Sequence, residues 1–251
     1  MTTSRQILFN RVELKYLIDR TTRTALAKDL AAFLPPDAHT DRNGGYLVRS
    51  LYFDTPDFMA YHQKLAGLAQ RHKLRVRLYG ENLDQIPFIR LEVKSRLLNV
   101  THKITVDFPR EEYCEIERAL RSRTIPPAHL LDREGISKEF FRLQKQYNME
   151  PKILVQYRRQ AFERKMIDRL RINFDDECIG SRNLDLFAPM NGARPFLGYN
   201  STIFEIKADG SIPYWLHQLI SKYELQNQAV SKFCSAVRSE ARFSSVSRAN
   251  D

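Results

Sequence analysis

The chain has 251 residues, 43% of them hydrophobic, enough to bury one large core. No run approaches the roughly 18 apolar residues of a membrane-spanning helix, and the N-terminal MTTSRQILFNRVELKY lacks the apolar stretch of a secretory signal, so direct membrane insertion is not expected. Forty Lys and Arg against 30 Asp and Glu leave a net charge of +10, which calls for an anionic partner.

Residues 8 to 18, LFNRVELKYLI, alternate as a strand, and residues 22 to 34 carry helical periodicity up to Pro35 and Pro36. YLVRSLYFDT (46 to 55) reads as a second strand. PDFMAYHQKLAG (56 to 67) reads as a short helix opened by Pro and closed by Gly67. Three strands with short turns follow in HKLRVRLYG, PFIRLEVKSR and THKITVDFP, the pattern of an antiparallel meander. Residues 111 to 147 are helical in pattern, with a break near Pro126 and Pro127. Strands resume at 152 to 162, 170 to 176 and 202 to 209, and the helix IPYWLHQLISKYEL precedes VSKFCSAV. About eight strands with flanking helices define the α+β class. One domain over residues 1–243 and a flexible Ser-rich tail over 244–251 are expected. Cys114, Cys178 and Cys234 stand far apart and odd in number without a CxxC pair, which suggests neither a disulfide framework nor a cysteine-based zinc site and fits a reducing cytoplasm.

The charges are patterned. In RHKLRVRLYG, alternation puts Arg71, Lys73, Arg75 and Arg77 on one strand face, opposite Leu74, Val76 and Leu78. Arg90, Glu92, Lys94 and Arg96 share a face in the next strand, and Lys103 follows in the third. Arg159, Arg171, the pair Glu205 and Lys207, and the set Arg11, Glu13 and Lys15 repeat the arrangement. A solvated sheet face explains any one strand well. Recurrence in seven strands, with amphipathic helices available for the opposite faces, predicts an antiparallel β-barrel tunnel with a cationic lumen. So many buried cations demand water and a polyanion. Arg and Lys at this density suit phosphate oxygens. Glu13, Glu92 and Glu205 would repel phosphate, and a hard divalent cation, Mg²⁺ or Mn²⁺, reconciles them with it. There is no GxxxxGK[ST] loop and no HExxH pair.

RVELKY, SLYFDTPDFMAYHQKLAG, KLRVRLYG, FIRLEVKSR, YRRQAF, RINFDD, FEIK and SKF, in order from residue 11 to 233, together resemble the polyphosphate polymerase (VTC) domain of the triphosphate tunnel metalloenzyme superfamily. The resemblance implies a β-tunnel flanked by helices that transfers the γ-phosphate of ATP to a growing polyphosphate chain with Mn²⁺ or Mg²⁺. It also implies that Lys15, Arg75, Arg77, Lys94, Lys103, Arg159, Arg171 and Lys232 bind phosphate and that Glu205 binds the metal. Lys15, Arg75, Arg77, Lys94, Arg159 and Arg171 are thus the expected catalytic set. Lys73, Lys103, Lys207, Lys232, Arg11 and Arg90 are expected to hold substrate, and Glu205, Glu92 and Glu13 the metal. Two departures stand out: Arg11 replaces the first Glu of the ExExK motif of hydrolytic relatives, and Ala229 replaces the first of two C-terminal lysines.

A terminal phosphate acceptor is ionised at neutral pH and needs no general base, so polymerisation places few demands on the six histidines. A triphosphatase in the same tunnel and a non-catalytic polyphosphate-binding module remain open as alternatives. Nucleic-acid binding is not expected, because cations confined to a lumen cannot meet a duplex.

Overall fold

The computed structural model describes residues 11–41, 44–98, 100–124, 126–131, 136–164 and 169–248. Among these it forms, in chain order, β1 (Arg11–Asp19), α1 (Arg20–Ala31), β2 (Tyr46–Asp54), α2 (Met59–Leu65), β3 (Arg71–Leu78), β4 (Phe88–Leu97) and β5 (Val100–Pro109). Then come α3 (Tyr113–Ser122), α4 (Ala128–Leu131), α5 (Ile136–Gln146), β6 (Glu150–Arg164), β7 (Leu170–Ser181), β8 (Arg194–Pro195), β9 (Ser201–Asp209), α6 (Tyr214–Lys222) and α7 (Lys232–Arg248). The class is α+β, as expected. The strands form one sheet in the order β1-β9-β7-β6-β2-β3-β4-β5, with β8 added beside β7. The hydrogen-bonded path does not return from β5 to β1 among the described residues, so the pairing is that of an open sheet where a closed barrel was expected. The ninth strand is β8, whose two residues are too short to leave an alternating pattern.

The chain divides into two compact units. The first comprises residues 1–46, 158–177 and 197–230. Here β1 pairs antiparallel with β9 from Arg11 opposite Asp209 to Asp19 opposite Ser201, and β9 pairs with β7. Alternation puts Tyr16, Ile18, Leu170, Ile172, Phe174, Phe204 and Ile206 on one side, where Leu26 and Leu30 of α1 and Leu216 and Leu219 of α6 cover them. Each such side chain removed from water contributes about 1.5–3 kcal/mol. Helix α1 starts at Arg20, two residues before the periodicity suggests, because the Asp19 carboxylate accepts hydrogen bonds from the Thr21 and Thr22 amides. The segment after α6 shields the edge of β1: Lys15 N–H donates to Asn227 Oδ1, and Gln228 N–H to the Lys15 carbonyl. A Cβ on Gly45 would lie 2.6 Å from the Arg159 carbonyl oxygen, so only glycine permits this approach.

The second unit comprises residues 47–157, 178–196 and 231–251. Strands β3, β4 and β5 form the expected antiparallel meander, and β2 pairs antiparallel with β3 beside it. Leu74, Val76, Leu78, Ile89, Leu91, Val93 and Phe108 point to one side and pack with Ile116 and Leu120 of α3 and Phe140, Phe141 and Leu143 of α5. Helix α2 begins at Met59 instead of at Pro56, since Phe58 takes a left-handed conformation (φ 59°). The fully buried Asp54 carboxylate accepts from the Thr55, Ala60 and Tyr61 amides and so fixes that start. The helical stretch expected over 111 to 147 resolves into α3, α4 and α5, with residues 125 and 132–135 outside the described part. VSKFCSAV enters α7, which continues to Arg248 through most of the segment expected to be a tail, and residues 249–251 lie outside the described part. No described helix is long and apolar enough to cross a membrane.

Candidate functional site

In the second unit the register stacks polar side chains in rows across neighbouring strands. Tyr52, Arg75, Glu92 and Thr105 form one row, and Ser50, Arg77, Arg90 and Asp107 another. Lys73, Lys94 and Lys103 form a third. Glu92 is buried and collects three cations: Arg75 through Nε, Lys103 Nζ at 2.5 Å and Arg77 Nη1 at 3.6 Å. Burial alone would push its carboxyl up; the attraction of Arg75, Arg77 and Lys103 overrides that and holds it far below the usual carboxylate range. Arg77 also donates to Ser50 Oγ (3.1 Å) and to the Tyr157 hydroxyl (3.2 Å), and Arg75 to the Tyr52 hydroxyl (3.2 Å). Lys73 reaches Ser231 Oγ at 3.3 Å, and Lys232 lies over the Tyr157 ring at 4.8 Å. Arg90 is committed to a bidentate pair with Asp107, at 2.6 and 2.7 Å. The structure therefore gathers Arg75, Arg77 and Lys103 around the Glu92 carboxylate, with Lys73 and Lys94 in the neighbouring row and Lys232 over Tyr157.

In the first unit the rows are Lys15 opposite Glu205 opposite Asn173, and Glu13 opposite Lys207 opposite Arg171. Lys15 Nζ lies 2.8 Å from Glu13 Oε1 and 3.3 Å from Glu205 Oε1, so two carboxylates converge on one cation. Glu205 Oε2 faces Lys207 at 3.1 Å, Asn173 Nδ2 at 3.4 Å and Arg159 at 3.8 Å. Arg159 is clasped by Asp175, with Nε to Oδ1 at 2.6 Å and Nη2 to Oδ2 at 2.8 Å, and both residues are buried. Arg171 donates to Asp37 (2.8 Å), Glu163 (3.2 Å), Asn173 (3.2 Å) and the Tyr46 hydroxyl (2.9 Å). Such a full set of partners makes Arg171 a structural tie within its unit. The side chain of Arg11 lies outside the described part. Asp175, Asn173, Asp37 and Tyr157 are site residues that the sequence analysis did not single out.

Burial, with Arg159 and Lys15 close by, lowers the Lys207 ammonium to about 8 despite Glu205 and Glu13. In the metal-free protein the unfolded chain then still holds this proton at a pH where the folded chain has lost it. Stability should accordingly rise as pH climbs from about 8 towards the usual 10.5. Melting temperatures of wild type and Lys207→Met across that window check this, and a rise of equal size in both would remove Lys207 as the cause.

No group of three or more His, Cys, Asp or Glu among the described residues is arranged to hold a metal ion alone. Glu13 and Glu205 nevertheless offer hard oxygen donors around a point that already carries positive charge, the Lys15 ammonium. Two carboxylates completed by substrate phosphates are the donor set that Mg²⁺ and Mn²⁺ favour, so these residues fit such an ion. Glu92, enclosed by three cations, does not.

The chain thus presents an antiparallel sheet with cationic rows, whose apolar residues pack against helices within each unit. A comparison of structures agrees on the fold: an adenylyl cyclase-like protein from Hippeastrum with a dominant triphosphatase activity aligns at TM-score 0.53 and 16% identity, over 91% of this chain and 96% of its own. A protein assigned as an adenylate cyclase from Bacillus halodurans aligns at TM-score 0.49 and 13% identity, over 88% and 93%. The family profile of the VTC domain matches residues 10–240, and the chain belongs to the VTC domain family. No curated protein matches the chain.

Proposed function

We propose that the protein is a metal-dependent polyphosphate polymerase that transfers the γ-phosphate of ATP to a growing inorganic polyphosphate chain. The row of Lys73, Lys94 and Lys103 across three adjacent strands carries this reading. Like charges directly opposite in a sheet are destabilising, and a chain of phosphates with one charge or more per unit relieves them along the row. Family membership supports phosphate chemistry. In this reading Arg75, Arg77, Lys94 and Lys103 neutralise the phosphates, and Lys73 and Lys232 extend the grip. Glu13 and Glu205 hold Mn²⁺ or Mg²⁺, which supplies charge neutralisation at phosphate oxygens. Arg159, braced by Asp175, stands beside Glu205 as a further donor, and Lys15 and Lys207 balance the carboxylates. Arg90 and Arg171 leave the working set and keep structural roles.

Hydrolysis is the rival reading, favoured by the triphosphatase activity of the Hippeastrum protein. Incubation with ATP and Mn²⁺, followed by separation of products by size, distinguishes the two. A ladder of long chains with matching ADP is expected; orthophosphate alone at every primer concentration would sink the polymerase.

A further inference from the structure

Two turns of the second unit expose leucine. Leu65 (50% exposed) ends α2 and Leu68 (48%) follows it before β3, while Leu97 (56%) ends β4 and Leu98 (67%) follows it. The strands that bear these turns pair so that Arg71 stands directly opposite Arg96. Each arginine holds the backbone of its own turn: Arg71 Nη1 donates to the Leu68 carbonyl at 2.9 Å, and Arg96 Nε to the Leu98 carbonyl at 2.8 Å. Both turns and both guanidinium groups therefore sit at one end of the β3–β4 pair. Residues 59–80 and 93–106 contain no Asp or Glu, so neither chain segment supplies a carboxylate to relieve the Arg71 and Arg96 repulsion.

We propose that these two turns form a docking surface for an anionic lipid bilayer. Leucines exposed at and beside turns suit a bilayer, which accepts apolar tips without a groove, whereas a peptide helix requires one. Arg71 and Arg96, each bonded to the backbone of a leucine-bearing turn, match the negative surface of a bilayer rich in acidic lipid. Arg71 and Arg96 form the row next to Lys73 and Lys94 on the same strand faces, so the exposed leucines are what distinguish this surface from the phosphate-binding rows.

The experiment is sedimentation of the full chain with phosphatidylcholine vesicles, with and without about one third phosphatidylserine. The protein should bind only the anionic vesicles, and Leu97→Asp with Leu98→Asp should weaken binding about tenfold or more. Leu98 has φ 54°, a conformation that Asp tolerates better than Leu, and an unchanged melting curve confirms that the variant folds. Arg96→Glu should weaken binding as well. No binding to anionic vesicles overturns the proposal. So does binding that survives the leucine changes but is abolished by soluble triphosphate, which would assign it to the phosphate-binding lysines. Binding of polyglutamate with the same leucine dependence, and none to vesicles, would make the surface one for an acidic protein.

Discussion

Asp175→Asn is expected to destabilise the protein by about 3–5 kcal/mol, the usual cost of leaving one member of a buried ion pair without its partner. The Arg159 guanidinium is buried and donates two short hydrogen bonds, at 2.6 and 2.8 Å, to the Asp175 carboxylate. Asn keeps the shape but removes the charge and one acceptor. Glu205, a further carboxylate 3.8 Å from Arg159, is already engaged with Lys15 and Lys207. Turnover should fall with stability, because a guanidinium that turns towards Glu205 would compete with the proposed metal for it. A double replacement separates the two effects. Arg159→Met with Asp175→Leu removes both charges, so most of the stability should return, since apolar pairs of similar volume replace buried ion pairs at little cost. Activity should stay about 10²-fold or more below wild type, as for other preorganised charge donors. Recovery of activity in the double variant would make Arg159 purely structural.

The polar faces of β1, β3, β4, β7 and β9 were legible in the sequence because side-chain alternation has a fixed period of two, so Arg75 with Arg77, or Glu205 with Lys207, had to share a face. Which cation would meet which carboxylate was not legible, because that depends on register. Arg75 and Glu92 are 17 positions apart and face each other only once the β3–β4 turn is set. Arg159 and Asp175 meet for the same reason once β6 and β7 pair. Helix starts were misplaced where a side chain outside the periodic stretch decided them, Asp19 at α1 and Asp54 at α2. Glu92, Arg90 and Arg171 looked equivalent to the other charges on their faces. Their partners, three cations for Glu92 and carboxylates for the two arginines, are what set them apart.

Glu92→Gln separates a charge hub from a metal ligand by the sign of its effect on phosphate binding. In the free protein the change leaves Arg75, Arg77 and Lys103 without their shared counter-charge, so stability near neutral pH should fall by about 3–5 kcal/mol. Because the folded carboxyl lies far below its usual range, its contribution is fully present above the ordinary carboxylate pKa. It is lost as pH falls towards the folded value, where folded and unfolded chains bind the proton alike. Wild type should therefore lose stability through acid pH more steeply than the Gln variant, and their melting curves should approach each other. Triphosphate reverses the order near neutral pH: once Glu92 no longer competes, the ligand finds three uncompensated cations. Its stabilising effect, which grows with affinity by mass action, should be larger in the variant than in wild type, with or without Mn²⁺. A metal-binding Glu92 makes the opposite forecast, since its loss would weaken triphosphate binding only when Mn²⁺ is present. Titration of both proteins with triphosphate, with the melting temperature followed in the absence and presence of Mn²⁺, decides between them. A variant that gains less than wild type solely in the presence of Mn²⁺ would return Glu92 to the metal site.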